Sequence, residues 1–256
     1  RLLVDRQAVP DWTAQATILG WSPDGAFLYF AAGPAAYRSA IDPATGAPQP
    51  PVRISRHPGT SGGFRLSPDT RRLAFVERVE KKSPSRVRLA GVARYTERIC
   101  IAPSDGNGEA TCGIEPGGYV SNLAWSPDAG HLAFERRPSP FADDSRQVDI
   151  LEADVATGQT RAFANTGASE TNPLYSPDGK FVAFLRSDDP PLQPGDFGVH
   201  LLDRATGQTR ALAPTDDRWP SLAGWSRDSS RIYFTEARGT RNVIAALPVN
   251  GGPPQL

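Results

Sequence analysis

Carboxylates are the residue type in this sequence that could carry acid–base chemistry. Glu77, Glu135 and Glu236 follow three Leu-Ala-Phe-like segments at matching positions, and Arg186 follows a fourth. Glycosidases use two carboxylates about 5–10 Å apart. If the four segments are equivalent elements of one fold, these glutamates converge, which would favour a carbohydrate-active lyase or hydrolase. The alternative is that they are solvated strand ends.

A serine motif offers a second route to catalysis. Gly59, Ser61 and Gly63 satisfy the Gly-x-Ser-x-Gly pattern of serine hydrolases. A nucleophile elbow requires a strand before the serine and a helix after it, whereas this segment links two strand patterns. We therefore predict no catalytic residue here.

The two cysteines form a natural pair. Cys100 and Cys112 lie on either side of a turn-forming segment at residues 104–108, on opposite arms of one hairpin. Paired strands hold facing Cα atoms about 5.5 Å apart, which suits a disulfide. We predict a disulfide and with it an oxidising compartment, periplasmic or extracellular. The alternative is two free, buried thiols.

The spacing of the histidines, cysteines and acidic residues does not match a metal-binding motif. His57, His131 and His200 do not lie at a ligand spacing from another histidine or a cysteine. The acidic pairs at 143–144 and 188–189 lack a calcium-loop pattern. The sequence predicts no metal and no cofactor.

One motif recurs five times and must position all of these residues. It is aromatic or leucine, Ser-Pro-Asp-Gly, then Leu-Ala-Phe, with serines at 22, 67, 126, 176 and 226, hence at intervals of 45, 59, 50 and 50 residues. Proline sets φ at the first corner, aspartate accepts backbone N–H groups and glycine takes the left-handed position. Each copy therefore predicts a hairpin, and its serine and aspartate are turn formers. Replacing the glycine, as Thr70 and Ser229 do, predicts a somewhat strained turn.

Each copy is followed by a second turn, Asp-x-x-Thr-Gly or a close variant, flanked by further short strands. No window of ten residues has a helical period. Four antiparallel strands repeated every 40–60 residues are typical of the blades of a β-propeller. The sequence predicts one all-β domain, 1–256, with five recognisable blades at about 17–55, 64–115, 122–163, 172–213 and 221–256.

This repeat resembles the TolB-like β-propeller family, whose blades are related to the propeller domains of prolyl oligopeptidase-family enzymes. The resemblance covers nearly the whole chain and implies a fold more strongly than a function, because propellers host many activities. It also implies export, since TolB-like proteins are often periplasmic. TolB-type propellers have six blades and peptidase propellers seven or eight. We expect a five-bladed ring closed by a strand at residues 1–5, or a six-bladed ring with one degenerate blade.

Long connections mark the expected binding face. Three loops, at about 77–98, 136–146 and 186–197, exceed the usual length and lie at the same end of neighbouring blades. They are rich in arginine, aspartate and aromatic residues, and Tyr119, Glu170 and Trp219 in links between blades could face the same mouth. The predicted binding residues are Arg78, Arg86, Arg88, Arg136, Arg137, Phe141, Arg186, Asp188, Asp189 and Trp219. The alternative is that these loops are solvated.

Composition narrows the function classes. Lysine plus arginine and aspartate plus glutamate both number 28 among 256 residues, and this zero net charge argues against a dedicated nucleic-acid binder. No run of 18 apolar residues predicts a membrane span. The favoured function is a non-catalytic, exported module that binds a protein or peptide partner or senses a ligand, as part of a longer envelope protein. The alternatives are the carbohydrate-active enzyme and the detached propeller of a prolyl oligopeptidase-like peptidase.

Overall fold

The computed structural model describes residue 9 and residues 16–57, 59–81, 95–141, 144, 146–163, 166–191 and 195–256. The predicted binding residues Arg86 and Arg88 and the predicted closing strand at 1–5 lie outside these residues. In the described part of the chain the named elements are all β-strands, and there is no α-helix. The same part contains no helix long and apolar enough to cross a membrane.

The chain divides into two compact units, Arg1–Gly117 and Gly118–Leu256. The first unit contains an antiparallel four-stranded sheet in sequential order. Its strands are β1 (Ala16–Trp21), β2 (Phe27–Ala32), β3 (Ala35–Ala40) and β4 (Val52–Arg53). A second group follows, β5 (Thr60–Leu66), β6 (Arg72–Glu80) and β7 (Tyr95–Pro103). Strand β8 (Thr111–Trp125) begins in this unit beside β7 and contains the boundary between the units.

The second unit repeats the same plan. From Tyr119 onward, β8 pairs with β9 (His131–Arg137), which is followed by β10 (Asp149–Asp154) and β11 (Thr160–Ala162). A four-stranded sheet is built from β12 (Glu170–Tyr175), β13 (Phe181–Ser187), β14 (Phe197–Asp203) and β15 (Thr209–Ala211). The last sheet contains β16 (Ser221–Trp225), β17 (Arg231–Arg238) and β18 (Arg241–Pro248), and Gln255 bridges to Ala246 on its outer side. The prediction of an all-β fold of antiparallel four-stranded sheets is confirmed.

The Ser-Pro-Asp segments form the hairpin turns. In the third copy the Ser126 hydroxyl donates to Asp128 Oδ1 at 2.6 Å and accepts the N–H of His131 at 2.9 Å. Asp128 also accepts the N–H of Gly130 at 2.9 Å. These bonds satisfy the backbone groups of the turn and leave the serine and aspartate no catalytic freedom. The same Ser-to-Asp bond occurs in the other four copies.

The phenylalanines of the repeat form the core. Phe30, Phe75, Phe134, Phe184 and Phe234 are all fully buried on the second strands of the five groups. Burying one such side chain contributes about 1.5–3 kcal/mol. The spacing of these residues in the sequence therefore sets the register of each hairpin, because a slip of one residue would turn the ring to solvent.

Candidate functional site

In the second unit, five charged residues gather where β9, β10, β12 and β13 meet their long connections. This charged cluster comprises Arg136, Asp149, Glu170, Arg186 and Asp189. Antiparallel pairing places Arg136 opposite Asp149, and Glu170 opposite Arg186. The two strand pairs are joined at this edge, because the Glu170 N–H donates to the carbonyl of Val148 at 2.7 Å.

Glu170 is the most buried member of the charged cluster, with no exposed surface. Its Oε1 accepts a short hydrogen bond from the Thr166 hydroxyl, whereas its buried Oε2 has no hydrogen-bond partner among the described residues. Burial raises the pKa of Glu170 to about 7; the Thr166 bond and the Arg186 charge oppose this, and Asp149 and Asp189 reinforce it. The carboxyl group can therefore gain or lose a proton near neutral pH.

The arginines of the charged cluster also present unused donors. Arg186 Nε and Arg136 Nε are buried, and neither has a hydrogen-bond partner in the part of the chain that is described. The Nη1 of Arg136 lies 3.4 Å from Asp149 Oδ2, in a pair that is about one-third exposed. Buried polar groups without partners are uncommon in native proteins and require a physical explanation. This edge is therefore the strongest candidate for a functional site in the second unit.

The acidic pair at the end of β13 contains Asp189, an exposed member of the charged cluster, and its neighbour Asp188. Asp188 and Asp189 are exposed, and the Ser187 hydroxyl donates to the Asp188 carbonyl at 2.8 Å. The Asp189 carboxylate lies against the backbone of Gly167 and would have to rotate to admit a side chain there. The loop before β12 and the loop after β13 are thus held side by side.

An aromatic pair lies at the same edge of the β13–β14 sheet. Phe197 faces Ser187 in the register, and Trp219 meets Phe197 edge to face with ring centroids 6.1 Å apart. Trp219 Nε1 donates to the Gly195 carbonyl at 2.6 Å, which fixes the ring while 61% of the residue remains exposed. A held, exposed tryptophan is the kind of anchor found at protein interfaces.

The remaining predicted binding residues that the structure describes form no hydrogen bond or ion pair with the charged cluster. Arg78, in the first unit, lies over the Tyr95 ring at 4.7 Å and pairs with Glu97 at 3.4 Å. Phe141 is 37% exposed, and Arg137 faces Tyr119 across β8 and β9. The structure thus brings together Arg136, Arg186, Asp188 and Asp189 at one edge that also carries Trp219. Among the residues that the structure describes, neither Arg137 nor Phe141 hydrogen-bonds to this group.

The expectation that the glutamates after the Leu-Ala-Phe strands occupy matching positions is wrong for Glu135. This residue follows Phe134 directly, whereas Glu236 lies two residues after Phe234, so the two carboxylates point to opposite faces of their strands. Glu135 binds Ser121, Asn122 and the Asn172 N–H, each at 2.7 Å.

Glu236 is occupied in the same way. It is buried, accepts the N–H groups of Asp216 and Asp217 at 2.9 and 3.1 Å and pairs with Arg238. These carboxylates stabilise links between strands, and their oxygens are already engaged. The serine motif at 59–63 opens into strand β5, and the next element is strand β6 instead of a helix.

Two residues of the charged cluster were not among the predicted binding residues. From the sequence, Glu170 is expected only to face the mouth, and no motif marks Asp149 as a binding residue. Asp149 could have been identified from its position, because it is the first residue of β10. The register of the β9–β10 hairpin places it opposite Arg136. Glu170 is buried because β10 and β12 lie side by side. These strands come from different repeats, so no pattern within one repeat of the sequence predicts the burial.

Comparisons with known proteins place the fold among propellers. No family model matches the chain. A protein assigned as TolB from Agrobacterium tumefaciens superposes with a TM-score of 0.65 at 18% identity, over 94% of this chain and 79% of that one. A protein assigned as dipeptidyl aminopeptidase IV from Bacteroides ovatus gives a TM-score of 0.60 at 15% identity, over 93% and 39%. The resemblance to TolB-like propellers and to the propellers of peptidases is thereby confirmed for the fold.

A sequence relative points in the same direction. Dipeptidyl-peptidase 5 of Porphyromonas gingivalis is 27% identical over 142 residues, which are 54% of this chain and 21% of that protein. The matched segment is therefore about a fifth of the relative's length.

Proposed function

We propose that this chain is a non-catalytic β-propeller module that binds a protein or peptide segment at the charged cluster and Trp219. The observation that carries the proposal is the convergence of accessible charged groups, the partly exposed Arg136–Asp149 pair and the exposed Asp189, at the end of the strands where the exposed Trp219 also lies. An extended peptide offers both N–H donors and C=O acceptors. Trp219, which packs on Phe197 at the same end of the β13–β14 pair, supplies an apolar anchor.

The five groups of strands support a five-bladed propeller as the arrangement of the fold. Each group contains the same hairpin and the same buried phenylalanine, and the TolB similarity extends over 94% of the chain. A six-bladed ring with a degenerate blade is the alternative. A crystal structure decides between them by counting the blades around the axis.

The disulfide supports the proposal of an exported protein. Cys100 and Cys112 are joined in the structure, and such bonds persist in oxidising compartments. Alkylation of the native protein in its host, followed by mass spectrometry, tests this: the proposal requires the two thiols to be protected.

Binding is tested by selecting peptides from a randomised displayed library on the immobilised protein. We expect the selected peptides to bind about tenfold or more weakly to the Arg186→Ala and Trp219→Ala variants, as hot-spot residues require. Arg227→Ala is the matched control, because Arg227 is exposed in the turn between β16 and β17. Failure to enrich any peptide, or equal binding to all variants, would overturn the proposal.

The detached propeller of a peptidase is the second candidate function, favoured by the similarity to dipeptidyl-peptidase 5. On this alternative the same surface would guide peptides towards a catalytic domain. The mass of the native protein and the sequence of its gene test it: a serine hydrolase segment in the same polypeptide supports the peptidase, and its absence counts against it.

A further inference from the structure

Four side chains with metal-ligand chemistry converge in the first unit, away from the proposed peptide site. They are His57, Glu77, Cys100 and Cys112, and one ligand atom from each lies within 4.8 Å of the others. Glu77 and Cys100 come from the paired strands β6 and β7, Cys112 from β8 and His57 from the segment before β5. Glu77 and Cys100 are buried, and His57 and Cys112 are partly exposed.

The ligand atoms of this group lie within 4.8 Å of one another, so small side-chain rotations bring them to the spacing of the ligands of one tetrahedral ion. Zinc bonds of about 2.0–2.3 Å place neighbouring ligand atoms roughly 3.3–3.8 Å apart in a tetrahedron. Cys112 Sγ lies 3.8 Å from His57 Nε2, and Cys100 Sγ lies 3.5 Å from Glu77 Oε2. His57 Nδ1 lies 3.4 Å from Glu77 Oε1. The first and third of these contacts use different nitrogens of His57, and the second and third use different oxygens of Glu77, so these two side chains must rotate to present one atom each to the ion. The two sulfur atoms are bonded to each other as a disulfide.

We propose that reduction of the Cys100–Cys112 disulfide converts this group into a Zn²⁺ site with two thiolates, one nitrogen of His57 and one oxygen of Glu77 as ligands. A dithiol reductant cleaves the S–S bond, becomes a disulfide itself and leaves two protein thiols. Zinc then displaces the two thiol protons. The oxidised protein lacks the thiolates and does not bind the ion.

The surroundings provide the outer partners that such a site requires. Arg98 Nε pairs with Glu77 Oε2 at 2.5 Å, which orients the carboxylate and offsets part of the negative charge of the thiolates. Phe75 packs beside His57 with ring centroids 6.2 Å apart and so restricts the orientation of the imidazole. Together they hold two of the four ligands in place.

A cavity of about 630 Å³ gives the ion a path from solvent. It is lined by Phe75, His57 and the turn at residues 106–110, and His57 is the member of the ligand group that reaches it. The sequence predicted no metal site, since His57 and Cys112 are 55 residues apart and no spacing rule covers such a pair. The fold brings these four side chains together, and we therefore propose a metal site where the sequence predicted none.

The experiment measures Zn²⁺ and Co²⁺ binding to the whole chain, reduced with a phosphine under anaerobic conditions and compared with the oxidised chain. We expect one equivalent of Zn²⁺ to bind only to the reduced protein. Co²⁺ is expected to give a thiolate-to-cobalt charge-transfer band, which reports sulfur ligation directly. His57→Gln retains both cysteines and is expected to bind the ion about tenfold or more weakly.

Glu109→Gln is the control, because this exposed carboxylate lines the same cavity without joining the ligand group. Circular dichroism of the reduced protein shows whether the fold persists. Equal affinity of the oxidised and reduced chains, no charge-transfer band, or unchanged binding by His57→Gln would each overturn the proposal. Loss of the fold on reduction would overturn it as well, since the ligands would no longer be held together.

Discussion

Glu170 and Arg186 face each other across β12 and β13, yet the Glu170 Oε2 and the Arg186 Nε are both buried without a hydrogen-bond partner among the described residues. An arrangement of this kind lowers stability, because desolvated polar groups cost about 1–3 kcal/mol each when they are left unpaired. Residues that lower stability while facing long connections are expected at sites of function. This is why the charged cluster, and not the well-satisfied Glu135 or Glu236, is the centre of the proposed binding surface.

The first prediction concerns the pH dependence of stability through Glu170. Its pKa is about 7 in the folded protein and 4.5 in the unfolded chain. The protonated carboxyl of Glu170 therefore contributes its full share to the free energy of unfolding below pH 4.5. This contribution is lost as the pH rises to about 7, because the carboxyl of the unfolded chain releases its proton at a lower pH than that of the folded protein. The loss is of the order of 3 kcal/mol. Glu170→Gln cannot ionise, so we expect it to gain stability relative to the wild type between pH 5 and 8.

Urea unfolding at a series of pH values measures this difference. Glu109→Gln is the control, because an exposed carboxylate should leave the pH slope of the wild type unchanged. Parallel pH profiles for the wild type and Glu170→Gln would contradict the raised pKa of Glu170.

The second prediction concerns the buried network around Glu152. Tyr175 Oη donates to Glu152 Oε1 at 2.7 Å, and Arg204 and Arg161 pair with the same carboxylate. Burial would raise the pKa of Glu152, but the bonds from Tyr175 and Arg161 and the charge of Arg204 lower it. Tyr175→Phe removes a hydrogen bond to a charged acceptor and is expected to cost about 1.5–3 kcal/mol.

Urea unfolding at pH 7 measures the cost of Tyr175→Phe. Tyr233→Phe is the matched control, since Tyr233 is 38% exposed and surface changes are usually within about 0.5 kcal/mol. A Tyr175→Phe variant as stable as the control would show that the phenol contributes nothing to this network.

The sequence was most informative where structure is local. The Ser-Pro-Asp turns, the buried phenylalanines and the Cys100–Cys112 pair each depend on residues within one hairpin, and all three follow from spacing. The position of Glu170 beside Val148 and the contact of His57 with Cys112 join segments from different repeats. Such contacts depend on how neighbouring sheets pack, which residue spacing along one chain does not encode.

The β-bulges at Asn122 and Asn172 are a second feature that the sequence did not predict. Asn122 and Asn172 have φ values of 47° and 57° and lie where the register of the first strands shifts. Both bind Glu135, one through its side chain and the other through its N–H. Asparagine tolerates the left-handed conformation, but nothing in its spacing identified these residues as bulges, so the burial of Glu135 was missed.

The third prediction concerns a turn that lacks glycine. Thr70 has a φ of 57° at the position that Gly179 occupies in the fourth copy with a φ of 71°. A β-branched residue is strained in this region, as the sequence predicts for this turn. Thr70→Gly is expected to stabilise the protein by about 1 kcal/mol, after the larger entropy loss of glycine on folding is taken into account. Thermal unfolding measures the gain.

Gly179→Thr is the matched reverse change. A Cβ at Gly179 would meet only ordinary contacts at 3.8 Å and beyond, so its cost reports backbone strain and not a clash. We expect this variant to lose at least about 1 kcal/mol. Changes of the same sign in Thr70→Gly and Gly179→Thr would refute the role of the left-handed position.

The fourth prediction concerns the disulfide as a structural element. Cys100 and Cys112 close a loop with a sequence separation of 12, for which chain entropy gives roughly 3 kcal/mol of stability. Phosphine reduction in the presence of a chelator is therefore expected to lower the free energy of unfolding by about that amount. The chelator matters, because zinc binding to the reduced thiols would restore part of the loss.

A Cys100→Ala/Cys112→Ala variant should match the reduced wild type and should not respond to the phosphine. A reduced wild type as stable as the oxidised one would mean that the β7–β8 hairpin is held by its hydrogen bonds and by the packing of Phe75 alone.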